Sequence, residues 1–416
     1  MQDSAVQLTG FSRYLEKVFA FSALVAQVRD TRRAPRIPTA VVWRALFALF
    51  LFRLPSFHQL EAELQQPAFC AAVGAAGPFS EDTLRYVGSR LVPATLEALL
   101  VRTTQRLKRN KAFVEGQVAG RLVAALDGIE FIASRSRCCP RCLRRTVTVQ
   151  GQVLTEYYHR AVLCQLVGVR PRVILGLELL APGEDEVGAA GRLLTKLHRQ
   201  YRRFFDVLTL DALYAQGPVL ALAARYGWAL VITLKQASRS LWQDAQGLFA
   251  ARPPDQVVET AGYTLRLWDE AALPFPLDWP TPVRVVRSEE QHTVVRRVGR
   301  ECRPATVAQT WVWVSTLTPG QVRAVTVRNI GHLRWQEENS GFNDLTQHWG
   351  LKHCFLHTPT GLLAVLLTLV LAFNLFAAFV CRHSPLCRRR RWTGLAIARQ
   401  LYRSLFLAPP PALDSS

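Results

Sequence analysis

The order of apolar runs between residues 121 and 234 constrains this chain more than any other feature. Three strand-like stretches come first, at 122–126, 157–167 and 172–179, with residues 168–171 placed as a hairpin connection. A helix follows, with Ala189, Leu193, Leu194 and Leu197 at helical spacing. A strand at 207–210, a helix at 217–225 and a strand at 228–234 complete the series. Three strands, helix, strand, helix, strand describes an α/β core, a mixed sheet flanked by helices.

Two of these strands end in an acid. Asp127 follows the first and Asp211 follows the fourth. A carboxylate leaving a buried strand is fixed in direction by the sheet. A third acid, Glu338, falls on a helix expected around 329–350. Two strand-end carboxylates and one reaching in from a helix suit paired magnesium or manganese ions, which prefer hard oxygen ligands. One such ion activates an attacking hydroxyl and the other stabilises a leaving oxygen. Each Asp taken alone also reads as a turn former. The Glu337–Glu338 pair also reads as a solvated charged face. Arg334 stands one helical turn before Glu338, placed to pair with it or with a phosphate. Glu337 is the rival acid, pointing about 100° away around a regular helix.

Composition says what those ions would act on. Lys and Arg number 51 against 31 Asp and Glu, a formal charge of +20. That excess favours a polyanion through counterion release, although an Arg-rich coding bias produces the same count. Together with the acids it points to a phosphodiester.

The rest of the 416 residues divides around this core. Residues 1–118 are helical, with Ser56 and Ser80 as N-caps and Pro93 opening a helix with a basic end. This is a candidate DNA-end-binding region or plain scaffold. Residues 119–235 form the first part of the core. Residues 236–320 are Pro-rich with β-like runs, an inserted β-rich subdomain. Residues 321–400 return to core helices, and 401–416 form a tail. Residues 361–380 carry no charge and are about long enough to span a bilayer. Asn374 in the middle and the lack of a second span favour a helix buried in the core. No signal peptide opens the chain, so a reducing cytosol is the expected compartment.

Two further motifs stand apart. Cys139 and Cys142 form a Cys-x-x-Cys between the first two strands, and His159 or Cys164 would help complete a structural zinc site. The same stretch reads as a basic loop whose Arg135, Arg137, Arg141, Arg144 and Arg145 face phosphate. Trp311 and Trp313 share one face of a strand, as core or as stacking platforms. The run Arg388–Arg391 reads as a solvated, DNA-facing tail.

Over roughly residues 120–380 the sequence resembles the DDE transposases of bacterial insertion sequences, on Asp127, Asp211, Glu338 and the string Arg-Trp-Gln-Glu-Glu-Asn-Ser-Gly-Phe-Asn at 334–343. The resemblance implies a ribonuclease-H-like core with a β-rich insertion between the second Asp and the Glu. It implies Asp127, Asp211 and Glu338 as metal-binding catalytic residues and Arg334 as a phosphate contact. The family usually has a Tyr two turns before the Glu and a Lys two turns after it; here Gly331 and Leu345 stand instead. Lys352, His348 or His353 are the candidate replacements. The implied activity is cleavage at transposon ends and strand transfer into target DNA, by a homodimer on double-stranded DNA, in the bacterial cytoplasm at the nucleoid and not in a membrane. The alternatives are an inactive DNA-binding descendant and a membrane protein built on 361–380.

Overall fold

The computed structural model describes residues 6–234, 240–275, 279–298, 301–383 and 392–407. The run Arg388–Arg391 and most of the C-terminal tail lie outside the described residues.

Among the described residues, seven helices precede the first strand: α1 (Leu8–Phe19), α2 (Phe21–Val25), α3 (Thr39–Leu51), α4 (Phe57–Leu64), α5 (Pro67–Val73), α6 (Glu81–Gly88) and α7 (Pro93–Arg109). Capping or proline sets several of their starts. The hydroxyls of Ser56 and Ser80 accept the amides of Gln59 and Thr83 at 3.1 and 3.3 Å, and Pro93 opens α7 where no amide is needed.

The sheet comprises β1 (Val123–Ser134), β2 (Leu143–Val149), β3 (Gln152–Val167), β4 (Ile174–Leu179), β5 (Val207–Leu210), β6 (Ala229–Leu234), β7 (Gln256–Thr260), β8 (Tyr263–Leu273), β9 (Val283–Val298) and β10 (Glu301–Ser315). Helices α8 (Glu186–Tyr201), α9 (Gly217–Tyr226) and α10 (Ser240–Ala250) interrupt it. Among the described residues, four more helices come after the last strand: α11 (Ala324–Leu333), α12 (Asn343–His348), α13 (Pro359–Arg382) and α14 (Gly394–Leu405).

The five expected strands form the core. β4, β3 and β1 pair antiparallel, and β1, β5 and β6 pair parallel. Val123–Leu126 and all of β5 are buried, as parallel strands covered on both faces must be. This α/β mixed sheet flanked by helices is consistent with a ribonuclease-H-like fold.

The structure changes one expectation and attaches another element to the core sheet. The first strand does not end at Asp127; it runs on to Ser134, pairing with β3, and folds back through β2, a hairpin whose polar alternation gives little apolar signal. The β-rich stretch after residue 236 joins the core sheet. β10 pairs antiparallel with β6, Val312 opposite Leu234 and Trp313 opposite Thr233, so β10, β9, β8 and β7 extend the same sheet.

The apolar stretch at 361–380 lies within α13, most of whose residues are buried, packed against α3, α7 and β4. Thr358 caps it and Pro359 opens it. Asn374 has a structural role there: its side chain accepts from the amide of Ile174 and donates to the Ile174 carbonyl, both at 2.8 Å. Those bonds fall where β4 slips register against β3 and the ladder would leave a buried peptide unpaired. α13 is the one described helix long and apolar enough to cross a membrane, and it is buried inside the molecule.

Candidate active site

The parallel register sets the two aspartates beside each other. Val123, Ala124 and Ala125 of β1 lie opposite Val207, Leu208 and Thr209 of β5. Two residues further along both strands, Asp127 is level with Asp211. Neighbouring strands run about 4.8 Å apart. β5 stops at Leu210, and Asp211 caps the short turn Ala212–Tyr214, its Oδ1 accepting from the Leu213 amide at 2.8 Å. The turn-former reading of Asp211 is therefore correct as well, with one carboxylate oxygen engaged.

Asp127 is held from two sides. Its Oδ1 accepts from the amide of Gly128 at 2.8 Å, and its Oδ2 accepts from Nη1 of Arg334 at 3.1 Å. Arg334 is 2% exposed. A buried guanidinium against a carboxylate is charge-assisted and geometrically specific.

Helix α11 and the irregular turns after it bring Arg334 there. The chain stays helical from Ala324 to His348 but not regularly: a turn breaks it at Arg334, and Glu337–Phe342 forms a π-helical turn before α12. Such widened turns are rare and recur at functional sites. Glu337 points inward and is fully buried. Regular helical spacing sets it aside, and the π-turn removes the regularity on which that depends. Glu338 lies on the same turn, but its side chain is outside the described residues.

The two departures from the family pattern have physical explanations. A Cβ on Gly331 would come within 2.1 Å of Nε1 of Trp313, so the helix face that would carry a Tyr is pressed against the indole instead. Trp313 is itself 1% exposed and stacks with Trp311, ring centres 6.2 Å apart, with His332 edge-on to both. Trp313 is thus core and not a stacking platform. Leu345 is fully buried, its carbonyl accepting from the Leu351 amide at 3.1 Å. Lys352, His348 and His353 are exposed on the segment beyond it.

Sequence reasoning missed Glu186. It opens α8, is 6% exposed, and lies so near Gly128 that a Cβ there would meet its carboxylate at 2.1 Å. Tyr214 donates to its Oε1 at 2.8 Å, and Arg160 pairs with its Oε2 at 2.6 Å. Burial, then Glu186, with smaller contributions from Asp127 and Asp211, pushes the Tyr214 phenol far up. A buried acid, a neutral phenol and two arginines therefore back the pair of aspartates. The available signal was an acid at the first position of a helix, which looks like ordinary dipole matching.

The basic loop resolves unevenly. Arg145 bridges Glu130 and Glu156 on the surface and lies over Tyr158, so its guanidinium already has partners within the chain. Arg144 lies over Tyr157, and Arg135 approaches Glu156 at 3.8 Å. The loop between β1 and β2 also brings Cys139 and Cys142 against His159 of β3. His357, which sequence reasoning missed, joins them; Cys164 does not, being fully buried further along β3 beyond Leu163.

Residues 172–375 match the family described as the Transposase DDE domain. That interval contains Asp211, Arg334, Glu338 and His357; Asp127 and the Cys pair precede it. No curated protein matches the chain. Two aspartates brought level by a mixed sheet, an arginine from the following helix on the first of them, and the match agree: this chain carries a DDE transposase domain over residues 172–375.

Proposed function

We propose that the chain cleaves DNA at the ends of an insertion sequence and transfers the freed strand into target DNA, with Asp127, Asp211 and Glu338 as the residues that hold divalent cations. The family acts on DNA, and DDE transposases generally use a divalent metal. The observation that carries the reading is the level placement of Asp127 and Asp211 at the end of the parallel strands. Their carboxylates are hard oxygen donors, which fits magnesium or manganese better than softer metals. When bound, such ions supply Lewis acidity at phosphate oxygens and lower the pKa of an attacking water or hydroxyl.

The chain's own residues prepare that chemistry. Arg334 and the Gly128 amide each fix one oxygen of Asp127, so its carboxylate cannot rotate freely. Arg334 also brings positive charge to the place where a phosphate would sit. We assign Lys352, Arg135, Arg137 and Arg144 to further contacts with the DNA backbone. A cleft of about 940 Å³ lined by Arg13, Lys17, Lys111, Arg170 and Arg382 supplies a second basic surface, on the side of the helical region 1–118. We assign DNA-end binding to that region and two DNA ends to a homodimer.

The test uses purified chain, labelled duplexes carrying the element's own terminal sequence, a plasmid target and magnesium. The expected result is a nicked end bearing a 3′-hydroxyl and a joined product. Binding without cleavage or joining under magnesium and manganese would instead make the chain an inactive, DNA-binding descendant.

A further inference from the structure

Four soft or borderline ligand atoms converge well away from the oxygen-rich site. Cys139 and Cys142 sit in the connection between β1 and β2, His159 is in β3 opposite Ile132, and His357 immediately precedes the cap of α13. Their ligand atoms all lie within 4.8 Å of one another. The sulfurs are 3.8 Å apart. The sulfur–nitrogen distances include 3.3 Å from Cys142 to His159, 3.4 Å from Cys142 to His357 and 3.5 Å from Cys139 to His159. The two Nε2 atoms are 3.2 Å apart.

Those distances are the edges of a metal tetrahedron. Bonds of ~2.3 Å to sulfur and ~2.0–2.1 Å to nitrogen at tetrahedral angles give edges of ~3.8 Å for sulfur–sulfur, ~3.6 Å for sulfur–nitrogen and ~3.3 Å for nitrogen–nitrogen. A disulfide is a poor alternative, since its sulfurs would have to close to ~2.05 Å. Two imidazole nitrogens so close cannot both carry protons. The amide of Cys139 donates to the Cys142 sulfur at 3.2 Å, which suits a thiolate, and the Phe131 ring stacks on His159.

We propose that Cys139, Cys142, His159 and His357 bind one zinc ion in a closed structural site. Two thiolates cancel the charge of the ion, which suits a partly buried position, and four protein ligands leave no place for substrate. The site joins segments that the sequence holds far apart. On one side are the β1–β2 connection and β3, which brace the strand carrying Asp127. On the other is the segment that leaves α12 and enters α13, beyond the turn carrying Glu338. Zinc thereby fixes the basic loop and ties both halves of the oxygen-rich site into one frame. The inference stands apart from the proposed DNA chemistry, because its readouts do not use DNA.

The test is the zinc content of the full chain, purified without chelator, by mass spectrometry and by thiol-triggered release to a metal indicator. One zinc per chain is expected. Cys142→Ser and His357→Ala should each reduce it more than tenfold, while the neighbouring non-ligands Cys138→Ser and Cys354→Ser should leave it unchanged. Cobalt in the wild-type chain should give a thiolate charge-transfer band and intense tetrahedral absorption, a readout that survives if the variants fail to fold. Absence of stoichiometric zinc after supplementation, full zinc in both ligand variants, or a cobalt spectrum without thiolate character would overturn the assignment.

Discussion

Helix α13 and the helical stretch from Ala324 to His348 both pack against the same sheet, and they solve opposite problems. α13 is long, regular and nearly all apolar, and the polar groups in its middle are matched. Asn374 serves Ile174, and the Thr368 hydroxyl accepts from Trp43 at 3.1 Å. The earlier stretch is broken at Arg334, widened at Glu337–Phe342, and buries a guanidinium and a carboxylate. A regular helix presents one repeating stripe. Directing charged groups inward takes an irregular one, and the cost of burying them is offset by function rather than by stability.

This contrast predicts separable effects. The largest belongs to the irregular stretch: Glu338→Gln should lower DNA-end cleavage by roughly 10³-fold or more, on the scale of losing a group that stabilises transition-state charge. Its thermal unfolding should stay close to wild type; a large loss of stability would place Glu338 with the structural residues. Asn374→Ala should do the reverse. It leaves the Ile174 amide and carbonyl unpaired in the core, at roughly 2–4 kcal/mol of unfolding free energy, while the folded protein still cleaves. Denaturant unfolding beside a cleavage assay decides it. Gly331→Ala tests whether the irregular stretch also has a packing limit. The added methyl meets the Trp313 indole, and overpacking of this kind costs about 1–3 kcal/mol.

The smallest effect concerns how the β7–β10 end of the sheet is attached to α11. Glu290 of β9 pairs with Arg328 and with His332, at 2.8 Å to the latter. Burial alone would raise its pKa, but His332 and Arg328 outweigh that and lower it from 4.5 to about 2. A carboxyl lowered on folding stabilises the fold above its unfolded value, and that contribution disappears as pH falls from about 4.5 toward about 2. Glu290→Gln should therefore flatten the acid loss of stability in that window, read from unfolding curves at stepped pH. An unchanged slope would remove Glu290 from this role.

Legibility in the sequence shows the same division. α13, the five core strands and the caps at Ser56 and Ser80 are readable because periodicity and capping are local. The continuation of β1 past Asp127 is not, since Gly128, Glu130 and the polar β2 weaken the apolar pattern and only pairing with β3 makes a strand there. The union of β10 with β6 is equally hidden, because register is a tertiary property. Asp127, Asp211 and Arg334 stand out by their place in the element order. Glu186 looks like a helix-start acid, and His357, 198 residues from His159, has no spacing that announces it. The contact between Gly331 and Trp313 shows why a family position can change: once the indole fills the space, no side chain fits.

The central claim is that Asp127 and Asp211 jointly hold a divalent cation. Manganese titration of the DNA-bound protein, followed calorimetrically, tests it most directly. Wild type should bind manganese, and Asp127→Asn and Asp211→Asn should each weaken that binding at least ~10-fold with unfolding temperatures near wild type. Wild-type manganese affinity in both variants would contradict the account.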